Sequence, residues 1–494
     1  MNILKFKKIS LVILILVIIM ILFTTYDLFL TIDIKKIKQT RQENNNFVVN
    51  IEIDGELGNF NKLDNIYYFV VNYHNIKKIN IISPYKSNYV INKINPNEYE
   101  IFIYSDKYYQ TKKIIFVDIP IINITSNIFV KNRNIDFRGN EELGQVLSGI
   151  SIHDSNNQSY DMVYGSYRIR GGTSLEFPKK SYKIDLDKGA SLLGMNSDSD
   201  WILDALYTDI SKVRNKLSSD IWNLINDNQS INNDIEGEFV ELFIDNEYQG
   251  LYVLKEKVDK EITNTSSKGL LLKSIFHVTD VTRNNFINNS LNIVNYNGEP
   301  VIENFEIKFF NKLAYSNFLA MMHNYYVNNK NYESVNSNFD IDNYINYKVF
   351  LMIVCGVDNV AKNQYYSMYD ENSKILITPW DLDLTFGIDY SGTSTLKSKF
   401  VYDNYNDYIW ILDNVMDNDF NDLIKERYFE LRNNIITKDT IDSYLDSYKE
   451  LLVNSGAAKR DSERWYNYNI EYEIENIRTW ANNRMMFLDE YFKL

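Results

Sequence analysis

The pattern of apolar and polar positions changes character three times along the chain. From Leu11 to Phe23 every residue is apolar, inside an uncharged stretch running from Ile9 to Tyr26. That length sits at the lower limit for a helix that spans a membrane. Lys5, Lys7 and Lys8 precede it and no Ala-x-Ala site follows, which predicts an uncleaved anchor and not a removed leader. Basic residues flank the far side too (Lys35, Lys36, Lys38, Arg41), so the charge rule discriminates weakly. The orientation taken is a short inner stub with everything after the anchor outside. Residues 1–34 are thus read as cytoplasmic stub and membrane anchor, and 35–46 as a polar linker.

The pattern then shortens to period two. Phe47–Ile53, Ile66–Val71, Tyr99–Tyr104 and Ile114–Val117 are β-type runs separated by Asn-, Asp-, Gly- and Ser-rich turns. They predict a small all-β, sandwich-like domain over residues 47–119, in which no chemistry is visible. From Pro120 to the C-terminus a second domain begins with strands, Ile121 to Leu186. A helix follows over Lys212–Ile225, with Val213, Leu217, Ile221 and Leu224 on one face. Glu238–Ile244 and Leu251–Leu254 read as a hairpin with Gly250 at the bend. Period 3.6 dominates afterwards, over Phe305–Asn329, Ile341–Cys355 and most of Asp417–Leu494. Strands first and helices later predict an α+β domain with its site between two lobes.

Composition narrows the function classes. Fifty-two basic residues against 66 acidic ones give a net charge of −14, which argues against general nucleic-acid binding while leaving room for a local basic pocket. The single cysteine, Cys355, lies in the apolar run Val349–Gly356, so an intramolecular disulfide and a Cys-based zinc site are both excluded. A small buried apolar residue is the plain reading of it. His74, His153, His277 and His323 are scattered, leaving little material for a Ser-His-Asp triad or a zinc site.

Two acidic segments carry the candidate chemistry. Asp358-Asn-Val-Ala-Lys-Asn363 places an Asn five positions after an Asp, and Trp380-Asp381-Leu-Asp383 follows the strand Lys374–Ile377. Protein kinases use the first spacing when an Asp meets the substrate hydroxyl and an Asn holds a metal ion. Hard oxygen ligands of this kind suit Mg²⁺ or Mn²⁺. The pattern departs from ordinary kinases: Gly356-Val357 stands where His-Arg is usual, and Trp-Asp-Leu-Asp replaces Asp-Phe-Gly.

Upstream, Arg168-Ile-Arg-Gly-Gly-Thr-Ser-Leu-Glu-Phe-Pro-Lys-Lys-Ser-Tyr-Lys-Ile-Asp-Leu186 resembles the opening signature of the CotH kinase family of spore-coat-associated atypical kinases. Leu193-Gly-Met with Asp200-Trp-Ile-Leu, Asp209–Asn215, Glu241–Glu256 and the two acidic segments follow in the family's order, so the resemblance covers roughly residues 120 to 490. It implies a kinase-like two-lobed domain using ATP and a divalent metal, with a Ser or Thr hydroxyl on a surface or spore-coat protein as acceptor. On that basis Asp358 orients the acceptor hydroxyl and Lys362 neutralises the transferred group. Asn363 and Asp381 hold metal, with Asp383 as a further ligand or a structural acceptor.

For the nucleotide, the Gly171-Gly172 turn with Ser174 offers backbone N–H groups to phosphate. Strand alternation puts Lys180 beside Tyr182 and Ile184 and Lys183 on the other face, and a lysine on the core-facing side is expected to point into the cleft. Lys180 is therefore the first choice for phosphate and Lys183 the second. Glu256 is the candidate to orient that lysine, and Arg214 either meets phosphate or fastens Asp209. Three other readings stand beside this one: a non-catalytic coat scaffold or adhesin, a nucleotidyl transferase or amino-acid ligase on the same site, and, last, a glycosidase using Asp358 and Asp381. An exported kinase needs an external source of ATP, which is the main tension in the leading reading.

Overall fold

The computed structural model describes residues 34–70, 76–126, 144–154, 160–226, 234–276, 280–296, 299–328, 332–360, 362–388, 397–400 and 418–493. The expected anchor lies outside them; among the described residues no helix is long and apolar enough to cross a membrane. The chain divides into two compact units, Met1–Asp118 and Ile119–Leu494.

The first unit is all β. One sheet runs Asn59–Asn61, Ile66–Phe69, Tyr108–Phe116, Glu98–Tyr104, Asn88–Asn95 in spatial order, and a three-stranded sheet is formed by Glu56–Leu57, Asn50–Ile53 and Ile79–Ile82. Alternate residues of both sheets (Ile51, Ile53, Tyr67, Phe69, Ile101, Ile103, Ile114, Phe116) fill one core, as period-two patterning requires when a single face is buried.

The second unit, mixed α and β, begins as a closed barrel. Its strands are β1 (Ile121–Ser126), β2 (Val146–His153), β3 (Tyr160–Arg170), β4 (Ser181–Ser191), β5 (Ser197–Asp204), β6 (Gly237–Ile244) and β7 (Glu247–Glu256). They pair in the order β1-β2-β3-β4-β5-β7-β6, and β6 returns parallel onto β1 to close the ring. The barrel interior is filled by side chains such as Ile124, Ile152, Ile184, Trp201, Leu203, Leu242, Tyr252 and Leu254. The β6–β7 bend differs from the expected one. It is the two-residue turn Asp245-Asn246, both at positive φ (50° and 62°), a conformation these two residue types tolerate. Gly250 instead sits within β7 at φ +106°, where a Cβ would meet the Asp461 carboxylate at 2.2 Å.

A six-stranded sheet follows, formed by β8 (Leu270–Ser274), β9 (Ile293–Tyr296), β10 (Glu299–Ile302), β11 (Phe305–Phe309), β12 (Gln364–Met368) and β13 (Leu376–Pro379), in the order β9-β10-β11-β8-β12-β13. Period reading missed β8 to β11 and took Phe305 as a helix start. The helix there, α2 (Lys312–Val327), opens at Asn311, whose side chain accepts from the N–H groups of Leu313 and Ala314. With α1 (Arg214–Asn226), α3 (Ile341–Val354), α4 (Asn418–Asn434), α5 (Lys438–Lys449), α6 (Ala457–Arg464) and α7 (Ile470–Tyr491), the back of this sheet builds the largest core, around Trp222, Phe305, Tyr344, Phe350 and Ile477. Cys355 ends α3 in left-handed conformation and is fully buried.

The barrel is tied to α6 by buried charge. Lys179 and Asp461 form an ion pair at 2.6 Å with no exposed side-chain surface on either. Asp461 also accepts from the Leu251 N–H at 2.9 Å and the Tyr468 hydroxyl at 3.0 Å. Arg460 grips Glu241 through two nitrogens, at 2.7 and 2.8 Å. Removing one partner strands a desolvated charge, so Asp461→Ala is expected to cost about 3–5 kcal/mol. Replacing both partners, Lys179→Met with Asp461→Leu, should cost less than Asp461→Ala because the lysine of the pair is no longer stranded; urea unfolding of the two variants checks it.

Candidate functional site

The two acidic segments meet because of a hairpin register. In β12–β13 Gln364 faces Pro379, and the Trp380 N–H donates to the Asn363 carbonyl at 2.9 Å. The residue before β12 and the residues after β13 therefore stand at the same end of the sheet. The Asn363 N–H also donates to the Ser274 carbonyl at 3.0 Å, so the end of β8 joins them. Asn363 and Asp381 both turn through left-handed backbone (φ 55° and 57°), which Asn and Asp accept more readily than other side chains.

Asn359, fully buried, rivets the arrangement. Its amide donates to the carbonyls of Trp380 at 2.6 Å and Asn363 at 3.2 Å, while its own carbonyl accepts from the Tyr347 hydroxyl of α3 at 2.8 Å. Asp358, 5% exposed, accepts from the Asn363 amide at 2.6 Å and from Lys362 at 3.0 Å. Asp383 takes a longer bond from Thr208 at 3.4 Å. Burial first, then the charges of Asp381, Asp204, Asp358 and Asp209, pushes the Asp383 carboxyl well above the usual carboxylate range. The negative charge concentrated here is what a hard cation relieves. Among the described residues, however, no three Asp, Glu, His or Cys side chains are gathered closely enough to hold a metal ion as they stand.

Next to this acidic end lies a cavity of about 270 Å³ between the outer wall of the barrel and the face of the second sheet. Arg168 and Arg170 on β3, Lys183 on β4, Lys257 after β7, and Lys273 and Lys308 on β8 and β11 line it, together with Ile202, Ile307, Tyr365 and Trp380. None of these lining residues is a carboxylate. Lys183 is held by Asp185 and by Asp200 at 3.1 Å, and Lys257 by Asp200 at 2.5 Å. Behind them Lys255 pairs with Asp204 at 2.7 Å and lies over the Trp380 ring at 4.8 Å. Burial lowers the Lys273 ammonium to about 8, Arg170 adding to the shift and Asp381 opposing it. Six cations around so small a space make an anion site.

Residues 167–488, which contain both acidic segments and every residue of the cavity, match the family model described as CotH kinase protein. The chain belongs to the CotH kinase family. A search of curated proteins finds no match.

The geometry of this CotH-family domain rearranges several expectations. Asp358, Lys362, Asn363, Asp381 and Asp383 stand together, and Lys183 lines the cavity. Lys180 does not line it: its ammonium donates to the Leu175 carbonyl at 2.6 Å, within its own connection. The core-facing side of β4 looks into the barrel, which is packed with side chains, so the cleft opens on the opposite face. Gly171, Gly172 and Ser174 also lie outside the lining. Gly171 (φ +138°) makes room for the Ser174 hydroxyl, and the Leu175 and Phe177 N–H groups bond within the turn at 3.1 and 3.3 Å.

Glu256 forms no pair with Lys180 or Lys183 among the described contacts. It is buried and accepts from the N–H groups of Asn196 at 3.1 Å and Glu236 at 3.4 Å. Arg214 fastens Asp209 at 2.6 Å, and Asp209 accepts the Arg214 N–H at the start of α1. Arg168, Arg170, Lys257, Lys273 and Lys308 were missed. The available signal was charge repeating at i, i+2 in Arg168-Ile-Arg170, and a lone lysine after Leu270-Leu-Leu.

Two outcomes follow. An anion favours the Lys273 ammonium, so binding raises its pKa above about 8 and takes up a proton. Affinity for pyrophosphate therefore falls as pH rises from 7 to 9, and Lys273→Arg flattens the profile; calorimetric titration measures both. Burial and then Glu236 lift the Glu256 carboxyl to about 7. The native state then holds its proton more tightly than the unfolded chain, and stability is lost as pH rises from the ordinary carboxylate range through 7. Glu256→Gln should gain about 1–2 kcal/mol at pH 8 and lose that advantage near pH 4, read by unfolding at both pH values.

Proposed function

We propose that the domain binds ATP with a divalent metal and transfers the γ-phosphoryl group to a Ser or Thr hydroxyl of a surface or spore-coat protein. One observation carries this reading: a cation-lined cavity adjoins the end of a hairpin on which Asp358, Asn363, Asp381 and Asp383 are assembled. Phosphoryl transfer asks a protein mainly for positioning and charge neutralisation. The arginines and lysines of the cavity hold the triphosphate, and Trp380 and Tyr365 offer aromatic surface to the base. Asn363, Asp381 and Asp383 would hold Mg²⁺ or Mn²⁺, which would offset the phosphate charge. Asp358 accepts the hydrogen of the acceptor hydroxyl, and Lys362, already beside it, lies ready for the transferred group. Family membership supports a kinase-like or spore-coat role. Placement on a membrane, with the domain outside, remains part of this proposal and rests on residues 9–26.

The test is transfer from γ-³²P-ATP and α-³²P-ATP with Mg²⁺ or Mn²⁺ to a mixture of coat or surface proteins. Label from the γ form alone is expected. Asp358→Asn should lower kcat by about 10²–10⁴-fold with ATP binding retained, whereas Asp381→Asn should remove the metal-dependent part of ATP binding as well. Label from the α form would replace the kinase reading with nucleotidyl transfer. ATP binding without transfer in either form would favour a scaffold.

A further inference from the structure

Lys273 differs from the other lysines of the cavity. Lys183 and Lys257 are held by Asp185 and Asp200, and Lys308 by Glu306. Among the described residues, no carboxylate lies within ion-pair distance of the Lys273 amine and no hydrogen-bond acceptor engages it. Its nearest company is aromatic, the Tyr365 and Trp380 rings at 5.8 Å each. The charged groups that act on it from the packed elements are Arg170 on β3, Lys308 and Glu306 on β11, and Asp381 after β13. An amine in this setting is short of partners that would hold it as a fixed ammonium, and it faces a cavity whose other walls attract phosphate.

We propose that Lys273 is a nucleophilic amine that small acyl phosphates acylate, the phosphate seating on Arg168, Arg170 and Lys183 while the acyl carbon meets the Lys273 nitrogen. In this step the nitrogen lone pair forms the C–N bond of an amide and the carbon–oxygen bond to phosphate breaks. Inorganic phosphate leaves with that electron pair, and the nitrogen gives up one proton to it. No oxidant or further reactant is needed. The product removes one cation from the cavity and adds bulk to it, so acylation weakens anion binding. The lowered pKa of Lys273 supports the step, since part of the amine is neutral near pH 7.5 before the phosphate is seated; the seated phosphate favours the ammonium, so the acylation rate is expected to climb as pH rises above 7.5. The proposal rests on the cavity as an anion site and, for its regulatory consequence, on the ATP reading above.

The experiment is incubation of the full chain with acetyl phosphate at pH 7.5, followed by peptide mass spectrometry with and without ATP or inorganic phosphate. Lys273 should acetylate at least about tenfold faster than Lys459, an exposed lysine of α6, and phosphate should suppress the reaction. Arg170→Gln, which keeps the amine and weakens the phosphate seat, should slow Lys273 acetylation without changing that of Lys459. Acetylation distributed by exposure, with Lys273 no faster than Lys459, overturns the proposal even if ATP binds. Rapid acetylation of Lys273 that phosphate suppresses and ATP does not would support the amine's reactivity while removing the nucleotide reading.

Discussion

A closed barrel leaves its strands only one face for charge. Once β6 pairs back onto β1, the interior must be filled with side chains, and Ile184, Trp201, Leu203, Tyr252 and Leu254 fill it. Every charged residue at the opposite parity is forced onto the outer wall. On β3, β4, β5 and β7 that wall carries Arg168, Arg170, Lys183, Asp185, Asp200, Asp204 and Lys255, most of them part-buried because the second sheet packs against them. A small apolar contact made by Ile202, Leu271, Tyr365 and Trp380 anchors the two layers, and the cavity is the gap that the charged side chains keep open beside it. The position of the cavity thus follows from strand parity and barrel closure.

The same logic explains what brings the acidic residues to the cavity. Asp358 and Asp381 are 23 positions apart in sequence. Ladder register does the joining, since the β12–β13 pair puts Asn363 opposite Trp380 and leaves Asp381 as the next residue beyond. Asn359 then fixes that end to α3, its side-chain NH₂ donating to two carbonyls and its backbone carbonyl accepting from Tyr347. A buried amide bonded at so many points specifies one arrangement, because any alternative leaves several polar groups unsatisfied.

What sequence pattern could and could not give divides along these physical lines. α1 was legible because its apolar positions keep helical spacing, and α3, buried on nearly every side, because its apolar run is long; the observed bounds, Arg214–Asn226 and Ile341–Val354, lie close to the expected ones. β8 and β11 were not, because Leu270-Leu-Leu and Phe305-Glu-Ile are too short to separate strand from helix by period. The grouping of Asp358, Asn363, Asp381 and Asp383 was anticipated from motif spacing. Lys180 was preferred to Lys183 on a parity that was read correctly, yet it is Lys183 that lines the cavity, because which parity faces outward depends on whether the sheet closes on itself. Arg168 and Arg170 lay within the quoted motif, and alternation alone marks them as a pair on one face. Lys273, far along the chain, reaches the same space only through the β8–β12 pairing, which single-sequence reasoning does not supply.

The two halves of the site are electrostatically incomplete in opposite senses, and that incompleteness bears on how the fold is held. Six cations converge on one volume, while Asp204, Asp209, Asp358 and Asp381 all act on Asp383 beside it. Each group by itself opposes folding, since like charges are brought together as water is withdrawn. The salt bridges of Lys183, Lys255 and Lys257 to Asp185, Asp200 and Asp204 offset part of the positive excess but leave Lys273 outside the network. A polyanion on one side and a hard cation on the other complement both halves at once, so ligand binding and stability are expected to be linked. Without ligands the assembly must be held from elsewhere. The buried clamp at α6, where Lys179 meets Asp461 and Arg460 meets Glu241, ties the barrel down through pairs of opposite charge.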